Sequence, residues 1–336
     1  MLTSGFMESS VHRPTTANAI PAPRPPAVAP TLTSTVPREF VHRAAVAEVF
    51  LTGCTGVDET HFTLTAQWPR AHAFFTSDGG TRHDPLLAAE TIRQTGLFLA
   101  HTELNVPMGH HFLLQELQFT AHEDRLAIGN APTDLTIAAT CVILDSRERR
   151  FAFRMDITVM REGRTVATGG GRFTCLPPGL YHRIRGRRGS TADPLPMMLP
   201  ARAQPCEVGR DAPLDVVLSP TARSDRWVLN PNLRHATLFD HPCDHIPGMV
   251  LVEAARQAAY GTLRPRRTRP SRVAVTFHRY AELDSPCVID VTSTDAGGRQ
   301  PADALTTEVT GTQDGEPVFT CTLADAAARL RPTVAA

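Results

Sequence analysis

The chain has 336 residues, 42% of them hydrophobic and 20% charged, which is enough to bury the cores of two ordinary domains. Acidic and basic residues balance at 34 each, which excludes a global field for nucleic acid or an anionic membrane surface. All the positive charge is arginine, so Schiff-base and phosphate-loop lysine chemistry are excluded too.

The seven cysteines are scattered without a CxxC pair or zinc spacing and are read as reduced thiols. No basic region precedes an apolar run and no stretch approaches a membrane span, so the cytoplasm is the expected compartment. Residues 1–37 crowd Pro21, Pro23, Pro25, Pro26 and Pro30 among alanines and threonines, a composition that predicts a disordered arm. Residues 38–182 form a first repeat. An arginine- and proline-rich stretch, 183–212, reads as a linker, residues 213–328 form a second repeat, and 329–336 are a tail.

In the first repeat, Trp68-Pro69 leads to His72 and Phe74-Phe75, then to His83 and Pro85, then to a helix carrying Glu90, Arg93 and Gln94. In the second, Asn230-Pro231 leads to His235 and Leu238-Phe239, then to His245 and Pro247, then to a helix carrying Glu253, Arg256 and Gln257. After each helix come four β-type runs: Phe112 to Phe119, Leu135 to Leu144, Phe151 to Met160 and Thr165 to Leu176, then Val273 to Tyr280, Val288 to Thr294, Leu305 to Thr312 and Val318 to Leu323. Gly169 to Gly171, inside one run, fit a bulge or close backbone packing. The second helix has almost no polar face, so it is predicted to be buried. One buried helix per half wrapped by an antiparallel sheet predicts an α+β tandem hot-dog fold, with the halves docked as a pseudo-dimer.

Residues three and four apart share a helix face, so each glutamate presents its carboxylate beside an arginine and a glutamine. An ion pair on a buried helix is costly. Either it locks the helix to the sheet, or its carboxylate is kept for chemistry. Before the second helix, His241, Asp244 and His245 enter a Pro247-Gly248-Met249 start, where free N–H groups and the helix dipole favour an oxyanion. The first half offers Arg82-His83-Asp84-Pro85 with no glycine, so catalysis is expected at the second start. No metal and no cofactor are expected, because no further cluster completes a zinc ligand set. The arginines at 264, 266, 267 and 269, like those at 183–188, are either solvated or a docking patch for an acidic acyl carrier protein.

The run from His241 through Asp244, His245, Pro247, Gly248 and Met249 to Glu253, Arg256 and Gln257 resembles the signature of the A-factor biosynthesis family. Glu90 to Gln94 is similar to its first repeat, and the likeness spans residues 41–324. It implies transfer of a β-ketoacyl group from a thioester on acyl carrier protein or CoA to the hydroxyl of dihydroxyacetone phosphate. The ester would cyclise to a butenolide phosphate, precursor of a γ-butyrolactone or furan signal. Glu253 is the expected base, helped by His241 or His245, with Glu90 its first-repeat counterpart. The backbone at Gly248 and Met249 is the expected oxyanion donor. Arg256 or Arg93 would hold the phosphate and Gln257 or Gln94 orient the substrate, with Asp244 and His83 also at the site. A hot-dog thioesterase or dehydratase, and a non-catalytic acyl or lactone binder, are the alternatives. Further homodimerisation is left open.

Overall fold

The computed structural model describes residues 33–147, 150–189, 197–264, 270–294 and 306–325. The arm up to residue 32, residues 190–196 of the expected linker, the arginines at 266, 267 and 269, Leu305 at the head of its β-type run, and the tail lie outside the described residues.

The first half runs β1 (Leu51–Gly56), β2 (His61–Trp68), β3 (Thr76–Ser77), β4 (Arg82–His83), α1 (Leu86–Thr102), β5 (His111–Ala121), β6 (Thr133–Arg147), β7 (Arg150–Arg161) and β8 (Arg164–Leu176). A short helix, α2 (Pro178–Arg185), leads to the second half: β9 (Leu218–Pro220), β10 (Arg226–Leu229), α3 (Gly248–Thr262), β11 (Arg272–Phe277), β12 (Cys287–Thr294), β13 (Thr306–Gln313) and β14 (Glu316–Ala324). Apart from the β3–β4 pair, the strands form one 12-stranded sheet in the order β1-β2-β6-β7-β8-β5-β11-β14-β13-β12-β10-β9, antiparallel at every pairing. Its two halves mirror each other, and they join where β5 pairs β11, from Glu116↔Thr276 to Thr120↔Arg272. Equivalent strands meeting at the junction are what a two-fold relation between repeats produces.

Each half wraps one helix. Strand β6 alternates, burying Leu135, Ile137, Ala139 and Cys141 while the residues between face away, the period-2 signature of a half-buried strand. On α3, Val250, Leu251, Val252, Ala254, Ala255, Ala258 and Ala259 are all buried, as the absence of a polar face predicts. A Cβ on Gly169 of β8 would meet the Gln118 carbonyl at 2.3 Å and the Ile92 side chain at 2.7 Å, so close packing of strand on helix explains that glycine. This is the tandem hot-dog that the helix-then-meander pattern predicts.

Two details differ from the sequence reading. The four runs after each helix are strands, but each half also has two strands of the large sheet before its helix that the reading passed over, β1 and β2 in the first and β9 and β10 in the second. In β2 the signal is plain, since Phe62, Leu64, Ala66 and Trp68 are buried in alternation. The supposed linker is also structured, with α2 burying Tyr181 and Arg185, and Arg210 reaching the interior.

Candidate active site

Each helix glutamate sits in a quartet, not a triad. Glu253, 0% exposed, accepts from Arg210 Nε at 2.7 Å and Nη2 at 2.8 Å, from Arg256 Nε and Nη2 at 2.9 Å each, and from Gln257 Nε2. Glu90, equally buried, is held by Arg43, Arg93 and Gln94 in the same way. Burial pushes both carboxyls up, but the two arginines beside each outweigh it and hold them low, Glu90 at about 2. The glutamine amides complete the match: Gln94 donates to the Glu48 carbonyl and accepts from Phe50 N–H, while Gln257 donates to the Asp215 carbonyl and accepts from Val217 N–H. The arginines also stitch the halves together, for Arg43 Nη1 donates to the Thr237 carbonyl and Arg210 Nη1 to the Phe74 carbonyl. Arg43 and Arg210 escaped the sequence reading. The signal was a further repeat, Val41-His42-Arg43 with Glu48-Val49-Phe50-Leu51 set against Val208-Gly209-Arg210 with Asp215-Val216-Val217-Leu218.

One cavity of about 570 Å³ lies between the halves. It is lined by Arg43, Arg93 and Leu97 from the first half and by His241, His245 and the Pro247-Gly248-Met249 start of α3 from the second. Glu253, Glu90, Arg256, Gln257, Gln94, Asp244 and His83 do not line it. The sequence-predicted set is therefore divided: histidines, helix start and Arg93 come together, whereas both glutamates are walled off by their own ion pairs.

His245 is the best-supported group in the cavity. Its Nδ1 lies 2.6 Å from Asp244 Oδ1, and Asp244 accepts from the Tyr181 hydroxyl at 2.8 Å and from Arg185 Nε at 3.1 Å. Arg185 also clasps Glu282 with both Nη atoms, so the carboxylate is fixed from behind. Burial pushes the Asp244 carboxyl up, but hydrogen bonds from His245 and Tyr181 and the nearby charges bring it well below the usual carboxylate range. An ionised Asp244 takes a proton on Nδ1, which leaves His245 Nε2 as the basic nitrogen. His241 is more exposed, and its imidazole lies 3.5 Å from Asp240. Cys243 also lines the cavity, but burial and the neighbouring Asp244 push its thiol up to about 11. Two buried polar atoms of cavity-lining residues, His110 Nδ1 and the Tyr280 hydroxyl, have no hydrogen-bond partner among the described residues.

His83 is not the counterpart of His245. The backbone bridges show the register: His83 N–H donates to the Leu126 carbonyl as Ile246 N–H donates to the Ala281 carbonyl. His83 is 2% exposed, packs edge-on to Trp68 and meets the Thr133 hydroxyl at 3.1 Å, and burial pulls its pKa down to about 4. It is a core residue of the first half.

No helix among the described residues is long and apolar enough to cross a membrane. The family model described as the A-factor biosynthesis hotdog domain matches residues 26–177 and 192–327. A Streptomyces virginiae protein named 2-oxo-3-(phosphooxy)propyl 3-oxoalkanoate synthase is 47% identical over 294 residues, covering 86% of this chain and 97% of its own length. A Streptomyces coelicolor protein of the same name is 40% identical over 290 residues, covering 86% and 90%. Among solved structures, a 12:0-ACP thioesterase from Umbellularia californica is similar with a TM-score of 0.46 and 10% identity, covering 78% of this chain and 93% of that one. By the match to the family model over both repeats and by the identity to the Streptomyces relatives, the chain belongs to the A-factor biosynthesis hotdog family.

Proposed function

We propose that this chain is an acyltransferase that moves a β-ketoacyl group from an acyl-carrier-protein or CoA thioester to the hydroxyl of dihydroxyacetone phosphate. The ester so made is a 2-oxo-3-(phosphooxy)propyl 3-oxoalkanoate, the compound in the names of its relatives. It leads on to a butenolide phosphate, the precursor of a γ-butyrolactone or furan signal.

The observation that carries this reading is the juxtaposition, in one cavity, of a carboxylate-backed histidine, an open helix start and a guanidinium. His245 Nε2 takes the acceptor's hydroxyl proton as its oxygen attacks the thioester carbonyl. The carbonyl oxygen becomes an oxyanion facing the N–H of Gly248, one of the groups that a helix start leaves without an intrahelical acceptor. Collapse expels the thiolate, which takes the proton back from His245, and the products are the ester and a free thiol. Asp244 orients His245, and Tyr181 and Arg185 hold Asp244 in place. Leu97, Leu114, Phe173, Leu251 and Phe277 offer the acyl chain an apolar wall, and the unpartnered Tyr280 hydroxyl suits its β-keto oxygen. Glu253 is reassigned from base to structural anchor, because its oxygens are already saturated by two arginines and a glutamine.

The test mixes the protein with a β-ketoacyl thioester, with and without dihydroxyacetone phosphate, and follows thiol release and product mass together. Release that depends on the acceptor, with the phosphate ester or its butenolide formed, is expected. Release without acceptor would make the protein a thioesterase, and no release would return the weight to a dehydratase or a binding protein.

A further inference from the structure

The register that pairs Glu90 with Glu253 and Gln94 with Gln257 also pairs Asp84 with Pro247, Pro85 with Gly248 and Leu86 with Met249. The two helix starts are therefore filled differently. At α1 the Asp84 carboxylate, 1% exposed, accepts from Leu86 N–H at 2.9 Å through Oδ1, while Oδ2 lies 3.5 Å from Arg210 Nη1 and 3.7 Å from Arg256 Nη1. One anionic group thus bridges a helix N–H and both arginines of the neighbouring quartet. Two guanidinium charges on one glutamate leave one positive charge over, and Asp84 cancels it.

At α3 the same donors recur: Met249 N–H, Arg43 Nη1 and Arg93 Nη1. Proline replaces the carboxylate, and Pro247, Met249, Arg43 and Arg93 all line the cavity. The bonds of Arg93 run through Nε and Nη2, to Glu90 and to the Val41 carbonyl, and none among the described residues uses Nη1. Asp240 is the one acidic residue in the lining among the described residues, and its oxygens are taken by the N–H groups of Ala44 and Ala45. Arg93 therefore reaches the cavity with its Nη1 free of any hydrogen bond among the described residues.

We propose that Arg93 Nη1, Arg43 and Met249 N–H form an anion subsite in the cavity, which takes the acceptor's phosphate where the twin is filled by Asp84. Asp84 is a built-in occupant that closes the second copy. The first half also lacks the oxyanion donor, since Pro85 has no N–H where Gly248 has one. The chain then carries one active site. The identity of the phosphate rests on the transfer reading above, whereas the subsite rests on the geometry of its twin.

Calorimetric titration of the full chain with inorganic phosphate tests this, with Arg93→Gln and Arg256→Gln as a matched pair. Each removes the same kind of bonds from an equivalent buried glutamate; Arg256→Gln also removes the contact with Asp84 and Arg93→Gln the bond to the Val41 carbonyl, so the folding of both is compared by denaturant unfolding. Arg93→Gln should weaken phosphate binding by about 10- to 100-fold, the worth of a charge-assisted hydrogen bond, and raise KM for the acceptor above all. Arg256→Gln should leave phosphate affinity unchanged. Equal weakening in both, or no phosphate bound by the unaltered chain, overturns the subsite. If neither glutamine variant folds, Arg93→Lys against Arg256→Lys makes the same comparison. Asp84→Gly empties the twin, so phosphate should raise its melting temperature more than that of the unaltered chain; an equal rise overturns the role given to Asp84. The phosphate pattern without transfer to dihydroxyacetone phosphate would retire the transfer reading alone, and transfer without the pattern would retire the subsite alone.

Discussion

Two residues with similar sequence signals have opposite fates. Glu253 sits in the most conspicuous motif of the chain, yet burial and two arginines convert its carboxylate into a fixed anchor. His245 has a shorter motif and opens on the cavity with Asp244 behind it. Replacing His245 by Gln should lower kcat by about 10²- to 10⁴-fold, the usual contribution of a positioned acid–base group, with the fold intact by circular dichroism. Glu253→Gln should act on stability instead. It leaves Arg210 and Arg256 uncompensated, at a cost of about 3–5 kcal/mol in denaturant unfolding. A Glu253→Gln protein of full stability and no turnover would reverse the two assignments. The motif was legible in the sequence; the saturation of Glu253 was not, because helical spacing shows which residues share a face but not that Arg210 arrives from a distant segment.

Elements were legible in proportion to their periodicity. Both helices and the four strands after each follow from apolar patterning and turn residues, and Gly169 follows from a strand that must approach a helix closely. Gly169→Ala should therefore destabilise by about 1–3 kcal/mol, read as a lower denaturant midpoint, because a carbonyl of the neighbouring strand occupies the space that a methyl needs. The short strands β9 and β10 escaped for want of length, with only three and four residues. Helix α2 escaped because arginine and proline dominate its surroundings, although Tyr181 and Arg185 reach inward to hold Asp244. A segment rich in charge reads as solvated until its partners are seen.

Across the whole molecule the sheet is continuous and each quartet has an arginine bonded into the other half, so unfolding should be a single transition reported alike by both halves. Its pH dependence has a defined sign. Burial lowers the pKa of His83 from 6.5 to about 4 and, with Arg93 adding to it, that of His42 to about 3; Arg43 and Arg93 lower Glu90 from 4.5 to about 2. All three bind fewer protons folded than unfolded, so their stabilisation is complete above about pH 6.5 and drains away as pH falls towards 2. Each group costs up to about 1.4 kcal/mol per pH unit within its own interval, which melting curves across that range would measure. A melting temperature flat from neutrality to pH 4 would contradict the buried, neutral state of His83.

The unequal helix starts carry a consequence for genetics. In a homodimer encoded by a single-repeat gene, any codon is read out at both ends of the two-fold axis, so an aspartate at one start would be an aspartate at the other. Such an assembly must keep two working clefts or none. Joining the repeats in one reading frame frees the codons for Asp84 and Pro247 to diverge, so that one cleft can be sealed while its twin stays open. Exchanging the two helix-start segments between the repeats would then be expected to move the working cleft to the other end of the axis, not to create a pair.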